Sequence, residues 1–217
     1  MNNLIEKLKS FEGKVSKIAN EIELQSIFSE LAPAFLYGGY IKVRDDYKVY
    51  LKTVEFYFHS ENADGIHDPI VYHRNGRDLE EASYFPFMSL HAHSSGFDIT
   101  FECKVEGYRA SVLIRSYEVL DMQDGKFLRW DTKKRMFVKS DKYCCNIQST
   151  YLYALLNGFS LGSANDIRWI DEPREQTKII FQKPRQNVFQ SMSEWEYKKI
   201  IDRRCKREWS FTRDDQI

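Results

Sequence analysis

The sequence predicts an α+β fold, a single domain built on a curved antiparallel sheet or partial barrel flanked by helices. Three observations predict it. A helical apolar pattern opens the chain, period-two stretches follow in series, and a second helical stretch comes late. The chain holds 15 Phe, 13 Tyr and 4 Trp, and aromatic side chains favour half-buried pleated surfaces. Its 217 residues suffice for one domain with a sizeable core and are marginal for two. The expected organisation is one domain over 1–217, with a helical segment at 1–36, the sheet at 40–140, and a helix with a basic tail at 145–217.

Leu4, Leu8, Phe11, Val15, Ile18 and Ile22 alternate spacings of four and three, which places them on one stripe of a helix expected over 3–31. Ala32-Pro33 allows a break or a fresh turn, and Gly38-Gly39 closes the segment. From Tyr40 the period becomes two. Asp45-Asp46 turns the chain, and 47–59 reads as one long strand. Strict alternation puts Val49, Leu51, Thr53, Glu55, Tyr57 and His59 on one face, with Tyr50, Val54, Phe56 and Phe58 on the other. A polar loop over 60–81 follows, and loops of this length usually carry function or move. Residues 85–93 read as strand. Residues 97–105 and 109–120 form an expected antiparallel hairpin about Glu106-Gly107. A smaller hairpin is expected over 127–138, and 147–156 reads as helix stopped by Asn157-Gly158.

Lys+Arg and Asp+Glu balance at 32 each. A neutral chain is not a general polyanion binder, so contact with nucleic acid needs a local patch. Glu6, Lys7 and Lys9 occupy the first turns, which excludes a signal peptide reading, and no apolar run is long enough to span a bilayer. No membrane association is expected, and no protein partner is inferable. Cys103, Cys144, Cys145 and Cys205 form no C-x-x-C pair. Free thiols in a reducing cytoplasm are expected, rather than a zinc ribbon or a disulfide framework.

All five histidines, His59, His67, His73, His91 and His93, fall in one segment. His91 and His93 share a strand face, and with a third ligand they would suit zinc or iron. Their spacing fits no closed metal motif, and histidines bonded to backbone and water are the plainer reading. Carboxylates on strand faces suit general acid/base work. Glu55, among aromatic neighbours, is expected to be functional and Glu102 to lie on a solvated face. Arg115 closes an apolar run and needs an anion, either a structural carboxylate such as Glu118 or a phosphate or substrate. In the tail, Lys198, Lys199, Arg203, Arg204, Lys206 and Arg207 lie between Trp195 and Trp209, a mixture that suits a nucleic-acid backbone. A solvated helix face is the plainer alternative.

Several stretches then fall in a familiar order. They are Leu31-Ala32-Pro33-Ala34-Phe35-Leu36 with the strand after it, Val54-Glu55, the loop from Asp64 to His67, Phe97-Asp98-Ile99-Thr100, and Val112-Leu113-Ile114-Arg115-Ser116-Tyr117-Glu118. Together they resemble a divergent copy of the alkyladenine (3-methyladenine) DNA glycosylases, with a weaker likeness over 149–170. The resemblance implies duplex DNA as partner and no metal or cofactor. It implies that a modified base is flipped out, gripped by aromatic and histidine side chains, and released by a carboxylate-activated water. Carried onto this chain, Glu55 is the water-activating carboxylate, with Asp98 as the other candidate. Tyr57, His59, His67, His91, His93 and Arg115 line the base pocket, and Arg74, Lys199, Arg203, Arg204 and Arg207 meet the DNA. The chain departs from the family where Tyr57 replaces the second glutamate and His59 the stacking tyrosine. Two other readings compete: a non-catalytic nucleic-acid-binding module on the same fold, and a metal-dependent enzyme using the histidines. The histidine clustering and the resemblance both place the site between Val54 and Glu118.

Overall fold

The computed structural model describes residues 3–68, 71, 83–93, 96–147, 149–156, 167–175, 179–185 and 207–213. Helix α1 (Leu4–Val15) begins where the Asn3 side chain accepts the Glu6 amide at 2.8 Å. It buries Leu4, Leu8, Phe11 and Val15, as their spacing predicts. The stripe does not continue to Ile22. Asn20 caps a second helix, α2 (Glu21–Tyr37), by accepting the Ile22 and Glu23 amides, while the Glu23 carboxylate reaches back to the Ala19 amide. This fresh start changes the phase. Ile22 is 81% exposed, and Leu24, Phe28, Leu31 and Phe35 supply the buried face instead. Pro33 sits inside α2 and does not end it.

Among the described residues ten strands form one antiparallel sheet, curled into a half-barrel, which is the α+β arrangement the pattern predicts. In chain order they are β1 (Gly39–Val43), β2 (Tyr47–Ser60), β3 (Ser89–His93), β4 (Gly96–Thr100), β5 (Tyr108–Asp121), β6 (Phe127–Asp131), β7 (Met136–Ser140), β8 (Ile167–Asp171), β9 (Ile180–Lys183) and β10 (Ser210–Arg213). The main path runs β3-β4-β5-β2-β1-β8; β10 joins β2 to β9, and β6 joins β5 to β7. A 3-10 turn (Ser149–Leu152) and a short helix α3 (Tyr153–Leu156) occupy the late helical stretch; helix does not begin at Ile147, which is 83% exposed. No helix among the described residues is long and apolar enough to cross a membrane.

The helices cover one face of the sheet. Phe28 stacks on Phe56 at 4.5 Å between ring centroids, and Phe11 meets Phe101 edge-on at 5.6 Å. Such offset and edge-on packing adds to the burial of large rings. The opposite face carries the polar side chains.

The two longest strands, β2 and β5, pair along most of their length, and their register is broken at one place, by two successive shifts about Thr53. Leu51 pairs with Tyr117, Thr53 with Ser116, and Val54 with Ile114, so the register passes over Lys52 and Arg115. One extra residue in each strand inverts the alternation of both, and they stay in step. Val49 and Leu51 therefore share the core with Val54, Phe56 and Phe58, not the face of Glu55. In β5, Ala110, Val112 and Ile114 give way to Tyr117 and Val119 in the same manner.

The strand β4 stops at Thr100, before the expected 105, and the chain reaches β5 through the bridge Cys103–Tyr108. Glu102 is not on a solvated face. Its buried carboxylate accepts the Phe85 amide at 2.7 Å and lies 3.7 Å from the Arg109 guanidinium. Cys103, Cys144 and Cys145 are free thiols.

Candidate functional site

Beyond the register slip, Glu55, Tyr57 and His59 of β2 point away from the helices, opposite Leu113, Ser111 and Arg109 of β5. Asp98 of β4 pairs with Leu113 on one side and with His91 of β3 on the other. Four adjacent strands thus bring their chemistry-bearing side chains to one face.

At its centre Arg115 Nη2 lies 2.7 Å from Glu55 Oε2, and the Tyr57 hydroxyl donates to the same oxygen at 3.1 Å. Glu55 is fully buried and Arg115 partly open to solvent. Burial works against the arginine's charge, but Glu55 and Tyr57 outweigh it and raise its pKa. Burial, and then the Glu55 charge, push the Tyr57 phenol far above its ordinary value, so it remains a donor. Tyr57 also feels Arg185, Arg115 and Asp98, which makes these groups one electrostatic unit.

Asp98 is buried beside them. Its Oδ1 lies 3.3 Å from His93 Nε2, and its Oδ2 accepts the Ser111 hydroxyl at 3.1 Å. The His93 ring stacks on His91 at 5.7 Å with an 18° tilt, and His91 meets Phe85 at 4.3 Å. Burial pushes the His91 pKa down, Asp98 opposes this, and His93 adds to it.

A second polar cluster closes the far end of β2. Asp68 Oδ2 lies 2.6 Å from Arg185 Nη1, both side chains fully buried. Arg185 also lies over the rings of Tyr57 (4.7 Å) and Trp209 (5.0 Å). The Asp68 amide donates to His59 Nδ1 at 3.0 Å, and His67 packs against His59 at 4.9 Å.

The structure therefore brings together Glu55, Tyr57, Asp98, His91, His93 and Arg115. It sets His59 and His67 apart: His59 is buried beneath the Asp68 amide, and His67, partly exposed, packs on its ring. Arg207 does not present its charge to solvent: it is buried, pairs with Glu21, and lies 3.7 Å from Asp68. His73, Arg74, Lys199, Arg203 and Arg204 lie outside the described residues. Glu118, the other anion considered for Arg115, instead binds Arg213 and accepts from Tyr143 at 2.7 Å. Among the described residues no three His, Cys, Asp or Glu are grouped to hold a metal ion. Sequence reasoning missed Asp68, Ser111 and Arg185. Ser111 was findable, since it alternates with Leu113 and Arg109 on the expected hairpin. Arg185 carried no local signal.

No protein-family model, curated protein or solved structure matches the chain.

Proposed function

We propose that this face hydrolyses the N-glycosidic bond of a modified base extruded from duplex DNA, as the resemblance to the alkyladenine glycosylases implies. The observation that supports it most is the carboxylate of Glu55, held at one oxygen by both Arg115 and Tyr57 on the polar face. A positioned carboxylate next to the scissile bond orients water and offsets the positive charge that develops on the sugar. Arg115 fixes the carboxylate and balances its charge until substrate arrives. His91, Phe85 and His93 form a row of rings beside it, suited to the face of a base.

The test is direct. Alkylated duplex DNA incubated with the protein is cleaved by alkali at the abasic sites formed, and Glu55→Gln abolishes this. Activity retained by Glu55→Gln removes Glu55 from the role, and no abasic sites with the intact protein removes the activity.

A further inference from the structure

A neutral chain needs a local cationic patch to hold DNA, and Arg207 of the basic tail is buried and paired. The β6–β7 hairpin supplies such a patch, because its charges divide along its length. At its base, Lys126 pairs with Asp141 at 2.7 Å, and Lys139 with Asp121 and Asp124 at 2.9 and 2.8 Å. At its tip, Arg129, Lys133, Lys134 and Arg135 are all exposed, and the stretch 129–135 holds one carboxylate, Asp131. That carboxylate shapes the turn. Its Oδ1 accepts the Lys133 and Lys134 amides at 3.0 Å each, and Arg135 takes the left-handed conformation (φ 54°) at the turn's end.

The tip is also braced. β6 pairs with β5 at Phe127 and Leu128. Beyond them Asn146 takes over: its side chain accepts the Trp130 amide and donates to the Leu128 carbonyl, at 3.0 Å each, while its backbone bridges to Tyr117. Trp130 meets Phe137 of β7 edge-on at 5.2 Å and stacks on Tyr151 at 4.5 Å. Tyr151 belongs to the 3-10 turn whose Ser149 hydroxyl accepts the amide of Phe97, the neighbour of Asp98. The contacts thus run from the root of the cationic tip to the strand that carries Asp98. Resting on duplex DNA as the substrate, but not on which bond is cleaved, we propose that this tip grips the DNA phosphate backbone. Charges kept for solubility are mixed in sign, as at the hairpin's base. Four cations about one turn match the closely spaced charges of a phosphate chain.

The experiment follows binding of a fluorescent, unmodified duplex by anisotropy over a series of salt concentrations. Lys133→Ala, Lys134→Ala and Arg135→Ala together weaken binding about tenfold or more near about 0.1 M salt, and reduce the slope of log affinity against log salt by about 2 to 3. Lys9→Ala, Lys14→Ala and Lys17→Ala together remove as much charge from exposed positions on and just after α1, and leave the slope unchanged. Lys133→Arg with Lys134→Arg keeps both affinity and slope. Equal losses from the two triple variants, or a slope indifferent to the tip, overturn the proposal. So does polyglutamate that displaces the duplex as well as unlabelled duplex of equal charge does, since the tip would then be a site for acidic peptide. Tip-dependent binding by a protein that releases no base upholds the proposal and removes the chemistry; base release with binding indifferent to the tip does the reverse. No binding of duplex by the intact protein at low salt overturns both.

Discussion

Arg115 stands outside the β-ladder and Glu55 inside it, and their side chains meet at 2.7 Å. The register slip that skips Arg115 also turns Glu55 to the polar face. One irregularity thus both exposes the carboxylate to the site and supplies the cation that binds it. Bulges commonly re-aim a side chain in this way near functional sites.

Removing one partner of this pair strands a charge next to the sheet. Arg115→Met is expected to destabilise the protein by about 3 kcal/mol. Adding Glu55→Gln to Arg115→Met restores part of that loss, because the buried charge goes with it. Urea unfolding of the single and double variants measures the coupling, and additive losses would show that the two side chains do not interact.

The slip itself is testable through Lys52, which the register passes over. Lys52→Ala removes a hydrogen bond to the Tyr143 hydroxyl (2.8 Å) at a partly exposed position and costs less than about 1 kcal/mol. Deleting Lys52 is different in kind: it shifts one side of the β2–β5 pair and drives core residues to the polar face. The deletion variant is expected to lose its cooperative unfolding transition. A folded deletion variant with near-normal stability would contradict the register described.

The same slip explains what was legible in the sequence and what was not. The period-two runs around Phe56 and Val112 identified the strands and the Glu55–Tyr57–His59 face, since alternation holds locally. It failed across Lys52 and Arg115, because a bulge changes no residue type and so leaves no mark in the pattern. The clustered histidines do not share one pocket: His91 and His93 lie beside Asp98, whereas His59 is bonded by the Asp68 amide with His67 against its ring. The charge run 198–207 suggested a solvated or DNA-facing stripe, but Arg207 is drawn inward by Glu21 and Asp68, contacts separated too far in sequence to read. Asn20 was a readable cap that the continuous apolar spacing obscured.

The Asp68–Arg185 pair ties the segment after β2 to the segment after β9, with both side chains fully buried. Asp68→Asn leaves the Arg185 charge unbalanced in a dry environment and is expected to cost about 3–5 kcal/mol. It also removes the brace behind Tyr57, so hydrogen exchange of the amides in 60–68 quickens more than that of β5. Uniform quickening of both, at an unfolding cost below about 1 kcal/mol, would mean that the pair braces nothing.

Stability should also depend on pH through His91. Burial lowers its pKa in the folded protein below the ordinary value of 6.5. Between that lowered value and 6.5 the unfolded chain therefore binds more protons than the folded one, and stability rises with pH there. Acidification from neutrality costs stability as pH falls through the unfolded value, and the loss levels off below the folded one. His93 and Asp98 face the same ring, so the comparison must be differential. The urea midpoint of the intact protein should fall between pH 7.5 and 5.5 by more than that of His91→Gln, whose side chain cannot take up the proton. Equal slopes for the two proteins would show that His91 is not held in its neutral form by the fold.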